Sequence, residues 1–101
     1  NIATASIRGI TTNNFLKSYY FDKAFVGMSG FSLEAGYNTP DLLEAEKKRI
    51  VCKNAKKAYI LADSSKSGKS TLCKVLDLNQ ATIICNEVTD VVKGAEEYII
   101  V

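Results

Sequence analysis

Histidine and tryptophan are absent from this 101-residue chain, and proline occurs only once. Because histidine is the commonest general base, its absence excludes Ser-His and Cys-His catalysis by this chain alone. The cysteines Cys52, Cys73 and Cys85 are widely spaced and form no C-x-x-C pair, so the usual ligands of a zinc site are missing as well. We therefore expect no metal, no cofactor and three reduced thiols packed as small hydrophobic side chains.

The chain also lacks a strong net charge and long apolar runs. A net charge of +2 is too small to attract nucleic acid strongly, and no apolar run approaches the roughly 20 residues that cross a bilayer. Apolar residues make up 47% of the chain and charged residues 24%, as in soluble globular proteins. These features predict a single cytoplasmic domain over residues 1–101, without membrane contact. Since the chain begins at Asn1 rather than methionine, we expect it to be truncated.

Four short apolar segments predict β-strands. Segments 57–62 (KAYILA) and 82–85 (TIIC) are apolar runs rather than alternating patterns after their first residues, which is typical of strands that are buried on both faces of a parallel sheet. Segments 24–28 (AFVGM) and 98–101 (YIIV) complete the set. Because helical patterns separate these strands, we predict an α/β fold with a layered, mostly parallel sheet and helices on both faces.

The clearest predicted helix follows the sequence Thr39-Pro40-Asp41 and extends to about Ala55. This sequence supplies a cap, a proline at the first helical position and an acidic first turn. Shorter helices are predicted over about 12–19, after a threonine cap, and near 88–94. Two further segments are interpreted as loops: the stretch bracketed by Gly30 and Gly36, and a short turn around 70–76.

The stretch ILADSSKSGKST at 60–71 resembles a nucleotide-binding P-loop in its second half. Gly68-Lys69-Ser70 fits the end of the pattern G-x-x-x-x-G-K-[ST], but Asp63 occupies the position of the first glycine. A carboxylate there would repel phosphates and restrict the backbone, so the sequence argues against a nucleotide hydrolase.

The same turn follows the carboxyl end of a predicted parallel strand, where open α/β sheets bind their ligands. Ser65 and Lys66 could hold an anion there by hydroxyl donation and by charge. The alternative is that Lys66 and Lys69 are solvated loop lysines, and position alone does not separate these interpretations.

Two other features have simple structural interpretations when they are taken alone. Glu44 and Lys48 are four residues apart on the predicted helix, so they could form an exposed ion pair. Asp22 immediately precedes the first predicted strand, where a boundary residue is more common than a ligand-binding one.

Four motifs in register change these expectations: D-K-A-F-V-G-M-S-G (22–30), G-Y-N-T (36–39), E-A-E-K-K-R (44–49) and L-A-D-S-S-K-S-G (61–68). Together they resemble the C-terminal effector domain of DeoR/GlpR-type bacterial transcriptional repressors, from about Gly9 to the C-terminus. The resemblance implies a sensor for phosphorylated sugars with a fold similar to that of ribose-5-phosphate isomerase. It also implies a homo-oligomer in the full-length regulator, which would contact DNA only through a winged helix-turn-helix that has no counterpart in these residues.

The resemblance also implies a ligand site. Asp22 would lie at the strand end that faces the ligand, and three glycines would let the backbone pass close to it. Glu44 would accept sugar hydroxyls, while Lys48 would meet the phosphate or a ring oxygen, and Ser65 and Lys66 would complete the anion site. The full set of implied site residues is Asp22, Gly27, Gly30, Gly36, Thr39, Glu44, Lys48, Ser65 and Lys66.

This chain departs from the family pattern at two positions. Asn38 stands where a threonine is common, and Ser67 stands where an aromatic residue often follows the lysine. Both departures weaken any inference about the particular sugar.

The alternative function is that of a sugar-phosphate isomerase relative. In such an enzyme Glu44 would shuttle a proton beside a carbonyl, and a lysine would stabilise the enediolate. The isomerases carry a denser acidic motif where this chain offers only Asp22. We therefore expect a binding module rather than an enzyme.

Overall fold

The computed structural model describes residues 2–4 and 19–101. Within these residues the chain forms eight strands, one α-helix and three short 3-10 turns. The helix, α1, spans Leu42–Lys53. The strands are β1 (Ile2–Thr4), β2 (Phe21–Gly27), β3 (Gly30–Ser32), β4 (Gly36–Thr39), β5 (Ala55–Leu61), β6 (Cys73–Leu76), β7 (Thr82–Cys85) and β8 (Glu97–Ile100).

Five strands form a parallel sheet in the order β1-β2-β5-β7-β8. This confirms the α/β class and the mostly parallel sheet that the apolar segments predicted. Because all five strands run in the same direction, their C-terminal ends lie together. We call this side of the sheet the carboxyl edge and define it by Gly27, Leu61 and Cys85, the last residues of β2, β5 and β7.

Alternate residues of the central strands point to opposite faces of the parallel sheet. Ala24, Val26 and Ile60 are buried on one face, and α1 packs against β2 and β5. Phe25 and Tyr59, which alternate with them, stack on the other face with ring centroids 4.9 Å apart. The helix predicted over 12–19 lies almost entirely outside the described residues.

Helix α1 begins at Leu42, two residues later than predicted, because Asp41 is its N-cap rather than part of its first turn. The Asp41 Oδ1 atom accepts hydrogen bonds from the backbone N–H groups of Leu43 (2.9 Å) and Glu44 (3.2 Å). The helix ends at Lys53, two residues before the predicted end, because Ala55 already starts strand β5. Among the described residues, no helix is long and apolar enough to span a membrane.

A second, antiparallel sheet in the order β3-β4-β6 replaces the two loops predicted at 30–36 and 70–76. Its strands have three or four residues each, which is too short to show a clear alternation of apolar and polar positions. Phe31 and Tyr37 are fully buried in this hairpin. The loop prediction was therefore wrong, because buried aromatic side chains and cross-strand pairing stabilise the segment.

The prediction of a helix near 88–94 is also wrong, since the segment contains only a 3-10 turn at Val92–Gly94. The hydroxyl of Thr89 accepts a hydrogen bond from the Val92 N–H at 3.2 Å. The turn ends at Gly94, which packs against the side chain of Leu78, and strand β8 begins three residues later. The chain between Thr89 and β8 is thus long enough for one turn but not for a regular helix.

All three cysteines are free and buried, as the sequence predicted. Burial raises the pKa of Cys52 to about 12, although the charge of Lys48 opposes this shift. Cys52 is therefore a neutral packing residue between α1 and its neighbours rather than a reactive thiol.

Thr82 has an unsatisfied hydroxyl and allows a test of the packing of β7. Its side chain is only 2% exposed, and Oγ1 has no hydrogen-bond partner among the described residues. Because an unpaired buried polar group is destabilising, we expect Thr82→Val to raise the free energy of unfolding by about 1 kcal/mol. Urea-unfolding midpoints, measured with the m-value unchanged, would show this gain.

Thr89→Val makes the same chemical change and serves as the control. The Thr89 hydroxyl lies 2.8 Å from the Ser67 hydroxyl and accepts a hydrogen bond from Val92, so its loss should lower stability. A lower urea midpoint for Thr82→Val than for the parent would contradict the prediction.

Candidate ligand site at the carboxyl edge

Lys48 extends from α1 to the carboxyl edge. Its Nζ atom donates a hydrogen bond of 2.7 Å to the backbone carbonyl of Gly27, the last residue of β2. Side chains on a helix lean toward its N-terminus, so a lysine in the second turn of α1 reaches the strand end beside the first turn. Glu44 lies one turn earlier, and its side chain is 15% exposed. Both side chains thus lie against the protein rather than extending into solvent.

Gly27 differs from the two other glycines that the resemblance implied. Among the described residues, a Cβ atom at Gly27 would meet only the Leu61 carbonyl oxygen, at an ordinary contact distance of 3.9 Å, so these residues leave space beside it. A Cβ atom at Gly30 would lie 2.6 Å from the Lys69 carbonyl oxygen, and one at Gly36 would collide with the backbone of Leu76. Packing within the small sheet therefore explains Gly30 and Gly36, whereas Gly27 leaves room at the carboxyl edge.

The loop after β5 is organised by the carboxylate of Asp63. Its Oδ1 atom accepts a hydrogen bond from the Ser65 backbone N–H at 2.8 Å and another from the Ser65 hydroxyl. These two hydrogen bonds hold the pKa of Asp63 below its usual value. Asp63, whose carboxylate is incompatible with a P-loop, thus stabilises the 3-10 turn Ser64–Lys66.

Lys66 ends this turn at the carboxyl edge. Its backbone N–H donates to the Asp63 carbonyl at 3.0 Å. Its half-buried side chain makes no hydrogen bond or ion pair with the part of the chain that the structure describes. The Lys66 ammonium is therefore available to a ligand, whereas the Ser65 hydroxyl already donates to Asp63.

The loop after β7 holds the loop after β5 in place. The Asn86 side chain accepts a hydrogen bond from the Ser64 N–H at 2.7 Å and donates one to the Ser64 hydroxyl at 3.2 Å. The hydroxyls of Ser67 and Thr89 lie 2.8 Å apart. Sequence reasoning did not include Asn86 or Thr89 in the site, although both follow the carboxyl end of a predicted strand.

The small sheet holds the rest of the same loop. The Gly68 N–H donates to the Phe31 carbonyl at 2.8 Å, and the hydroxyls of Ser32 and Ser70 are 2.7 Å apart. The buried Asn38 side chain donates to the Lys69 carbonyl at 3.0 Å. The loop is therefore fixed on both sides, by Asn86 and Thr89 on one and by the small sheet on the other.

Thr39 is also near the carboxyl edge but is buried, with only 4% of its surface exposed. Its hydroxyl lies 3.5 Å from the hydroxyl of Ser29, two residues beyond Gly27. Thr39 ends strand β4 just before the cap of α1. Thr39 therefore packs beneath the first turn of α1 and is not part of the exposed surface at the carboxyl edge.

The predicted position of Asp22 is wrong, because the structure does not bring this residue close to the other implied site residues. It is the second residue of β2, and Gly27 is the last, so the two are separated by roughly 16 Å along the strand. The exposed Asp22 carboxylate lies 3.9 Å from Lys56 Nζ at the opposite edge of the sheet. A residue at the start of a parallel strand cannot contribute to a site at the carboxyl ends.

Clefts elsewhere on the surface do not include Lys48 or Lys66. One of about 380 Å³ lies between α1 and β6, and another of about 340 Å³ lies beside the β3–β4 turn. In the described part of the chain, no group of three or more His, Cys, Asp or Glu side chains could hold a metal ion. The candidate site is thus a polar rim formed by Glu44, Lys48 and the loop with Ser65 and Lys66.

Comparisons with known proteins identify the family. The family model of the DeoR C-terminal sensor domain matches residues 1–90. The chain is 40% identical over 84 residues to an uncharacterized HTH-type transcriptional regulator, FruR, of Bacillus subtilis, covering 83% of this chain and 34% of that protein. It is 44% identical over 69 residues to the HTH-type transcriptional regulator IolR of the same organism, covering 68% of this chain and 28% of IolR.

A third relative is a putative aga operon transcriptional repressor of Escherichia coli O157:H7. It is 33% identical over 79 residues, which are 78% of this chain and 29% of that protein. The chain thus spans about a third of the length of the curated relatives it matches. With the family model covering most of its residues, the chain belongs to the family of DeoR C-terminal sensor domains.

Proposed function

We propose that this chain is the ligand-sensing domain of a DeoR-type repressor of carbohydrate metabolism and that it binds a phosphorylated sugar at the carboxyl edge. One observation carries the proposal. The Lys48 ammonium donates a hydrogen bond to the carbonyl of Gly27 at the end of β2. Gly27 pairs with Leu61 at the end of β5, and the loop with Ser65 and Lys66 follows Leu61. The Lys48 ammonium and the loop that carries Lys66 therefore both lie at the carboxyl ends of two neighbouring strands, β2 and β5.

The chemistry of this rim suits a small polyol phosphate. Lysine ammonium groups attract a phosphate as point charges, and the Glu44 carboxylate is an acceptor for sugar hydroxyls. A ligand that left a buried carboxylate oxygen unpaired would lose about 1–3 kcal/mol of binding free energy. Specificity for the arrangement of hydroxyls would follow from that penalty.

Regulation would require the longer protein. A sugar phosphate changes DNA affinity only if it binds one arrangement of domains or subunits more tightly than another. The relatives are HTH-type regulators and a putative repressor, which supports DNA binding by a helix-turn-helix elsewhere in the longer protein. We further propose that this longer protein is a cytoplasmic homo-oligomer. The binding function does not require catalysis, and Asp22, the only residue that matched the acidic motif of the isomerases, lies at the opposite edge.

The binding proposal can be tested by thermal unfolding and calorimetry with a panel of ligands. The panel contains glucose 6-phosphate, fructose 6-phosphate, ribose 5-phosphate, glycerol 3-phosphate, the unphosphorylated sugars, inorganic phosphate, ATP and GTP. We expect at least one sugar phosphate to stabilise the protein by about 2.7 kcal/mol at 100 times its Kd. We expect Lys66→Ala to weaken its binding about tenfold or more, because one charge-assisted contact is lost.

Lys69→Ala is the matched control, since it removes the same charge from an exposed position of the same loop. It should weaken binding less than Lys66→Ala does, because water and salt screen the charge of this exposed lysine. Equal affinities of Lys66→Ala and the parent would reject the anion-binding role. Interconversion of aldose and ketose phosphates by the protein would instead favour the isomerase alternative.

A further inference from the structure

Lys47 is the one lysine of the described residues that is almost completely buried, with 2% of its surface exposed. Lysine is rarely buried without a charge partner, because removing an ammonium from water is costly. Sequence reasoning passed over this residue in favour of Lys48. Its burial in the second turn of α1 therefore needs an explanation.

The charged group nearest to Lys47 is Glu44. The distance from Lys47 Nζ to Glu44 Oε1 is 3.9 Å, and the two residues are three apart on α1. Lys47 makes no hydrogen bond with the described part of the chain. The buried ammonium is thus stabilised chiefly by the Glu44 carboxylate, which is itself 15% exposed.

The two neighbouring lysines therefore have different positions. Lys48 reaches the carbonyl of Gly27 at the carboxyl edge, whereas Lys47 lies inside the protein beside Glu44. Water screens a buried charge less than an exposed one, so Lys47 acts on Glu44 more strongly than a surface lysine at the same distance. Because Lys47 cannot turn into solvent without leaving its packed position, its charge is also fixed in direction.

We infer that Lys47 is a positioning residue for Glu44, which it holds at the carboxyl edge as an acceptor for ligand hydroxyls. The ligand part of this inference rests on the proposed function. The buried cation has a second effect at the same site, because it offsets the negative charge of Glu44. An anionic ligand can then approach Lys48 and Lys66 without full repulsion by that carboxylate. The ligand class that such a site selects is a polyhydroxylated phosphate rather than phosphate alone.

The pairing is tested without ligand by a double-mutant cycle of Glu44→Gln and Lys47→Met. Glu44→Gln leaves the Lys47 ammonium buried without its charge partner, so we expect a fall of about 10 °C or more in the unfolding temperature. Adding Lys47→Met to Glu44→Gln should restore most of this loss, because both charges are then absent. Additive effects of the two changes would overturn the pairing.

The positioning role is tested with each sugar phosphate of the panel and with inorganic phosphate. We expect Lys47→Met to weaken sugar-phosphate binding about fivefold or more, which corresponds to one hydrogen bond to a misplaced carboxylate. Inorganic phosphate, which has no sugar hydroxyls to meet Glu44, should bind within about twofold of the parent. Lys47→Arg keeps the cation and should bind sugar phosphates more tightly than Lys47→Met.

Lys53→Met removes a charge from an exposed position of the same helix and serves as the control for both measurements. Equal weakening of sugar-phosphate and inorganic-phosphate binding by Lys47→Met would overturn the positioning role, since it would indicate a general structural defect. If no sugar phosphate binds the parent, the proposed function and the positioning role both fail, while the double-mutant cycle still decides the pairing.

Discussion

Replacing Asn38 with alanine is expected to lower the free energy of unfolding by about 3 kcal/mol or more. The fully buried side chain donates to the carbonyls of Gly36 (2.9 Å) and Lys69 (3.0 Å). It also accepts hydrogen bonds from the backbone N–H (3.0 Å) and the hydroxyl (2.7 Å) of Thr71. Alanine would remove all four bonds and leave their partners unsatisfied. Urea unfolding would measure the loss.

Two further variants separate the causes of this effect. Asn38→Asp keeps an oxygen that can accept from Thr71 but directs a carboxylate at the carbonyls of Gly36 and Lys69, so we also expect a large loss of stability. Asn79→Ala changes an exposed asparagine and should be nearly neutral. An Asn38→Ala protein within about 1 kcal/mol of the parent would contradict the assignment, since the loss of four hydrogen bonds to a buried side chain should cost more than this.

Asn38 also connects the fold to the candidate site, because it joins strand β4 to the loop that continues from Lys66. If the Asn38→Ala protein remains folded, the amide hydrogen of Thr71 should exchange faster, since its acceptor is lost. Asn38, one of the two positions that the resemblance marked as departures from the family pattern, is therefore a structural anchor of the loop. Because Asn38 has this structural role, its identity gives little information about which sugar binds.

The parallel sheet could be predicted because its strands are continuous apolar segments that are long enough to be recognised. The segment TIIC is strand β7 without any change of its ends, and the predicted strand at 57–62 overlaps five of the seven residues of β5. The small sheet could not be predicted in the same way. Its pairings depend on contacts between distant residues, such as the register of Tyr37 with Leu76, which leave no periodic pattern in the sequence.

Site residues that directly follow a strand could be predicted from the sequence. A residue whose role depends on its burial in the folded protein could not. Ser65 and Lys66 follow β5, so the rule that ligands collect at carboxyl ends located them correctly at that edge. The same rule excludes Asp22, because a residue near the start of β2 lies at the other edge. Lys47 could not be found from the sequence, since lysines on helices normally face water.

Gly36→Ala is the second variant with a large expected effect, and we expect it to lower the free energy of unfolding by about 3–5 kcal/mol. Gly36 has a φ angle of +59°, which is unfavourable for alanine. In addition, an added Cβ atom would collide with the Leu76 carbonyl and lie 3.3 Å from the Asp77 Cα atom. The change therefore combines backbone strain with a collision that must push β4 away from β6. Thermal and urea unfolding would measure the sum.

Gly68→Ala separates these two contributions, because Gly68 also has a positive φ angle, +81°, but no atom of the described residues lies within 4 Å of an added Cβ. It should lose only the strain energy, about 1–2 kcal/mol. The difference between the two variants then estimates the cost of moving β4 away from β6. If both variants lost the same amount, the close approach of Gly36 to Leu76 would not contribute to stability. A larger loss for Gly36→Ala would show that this contact maintains the small sheet, which in turn supports the loop that carries Lys66.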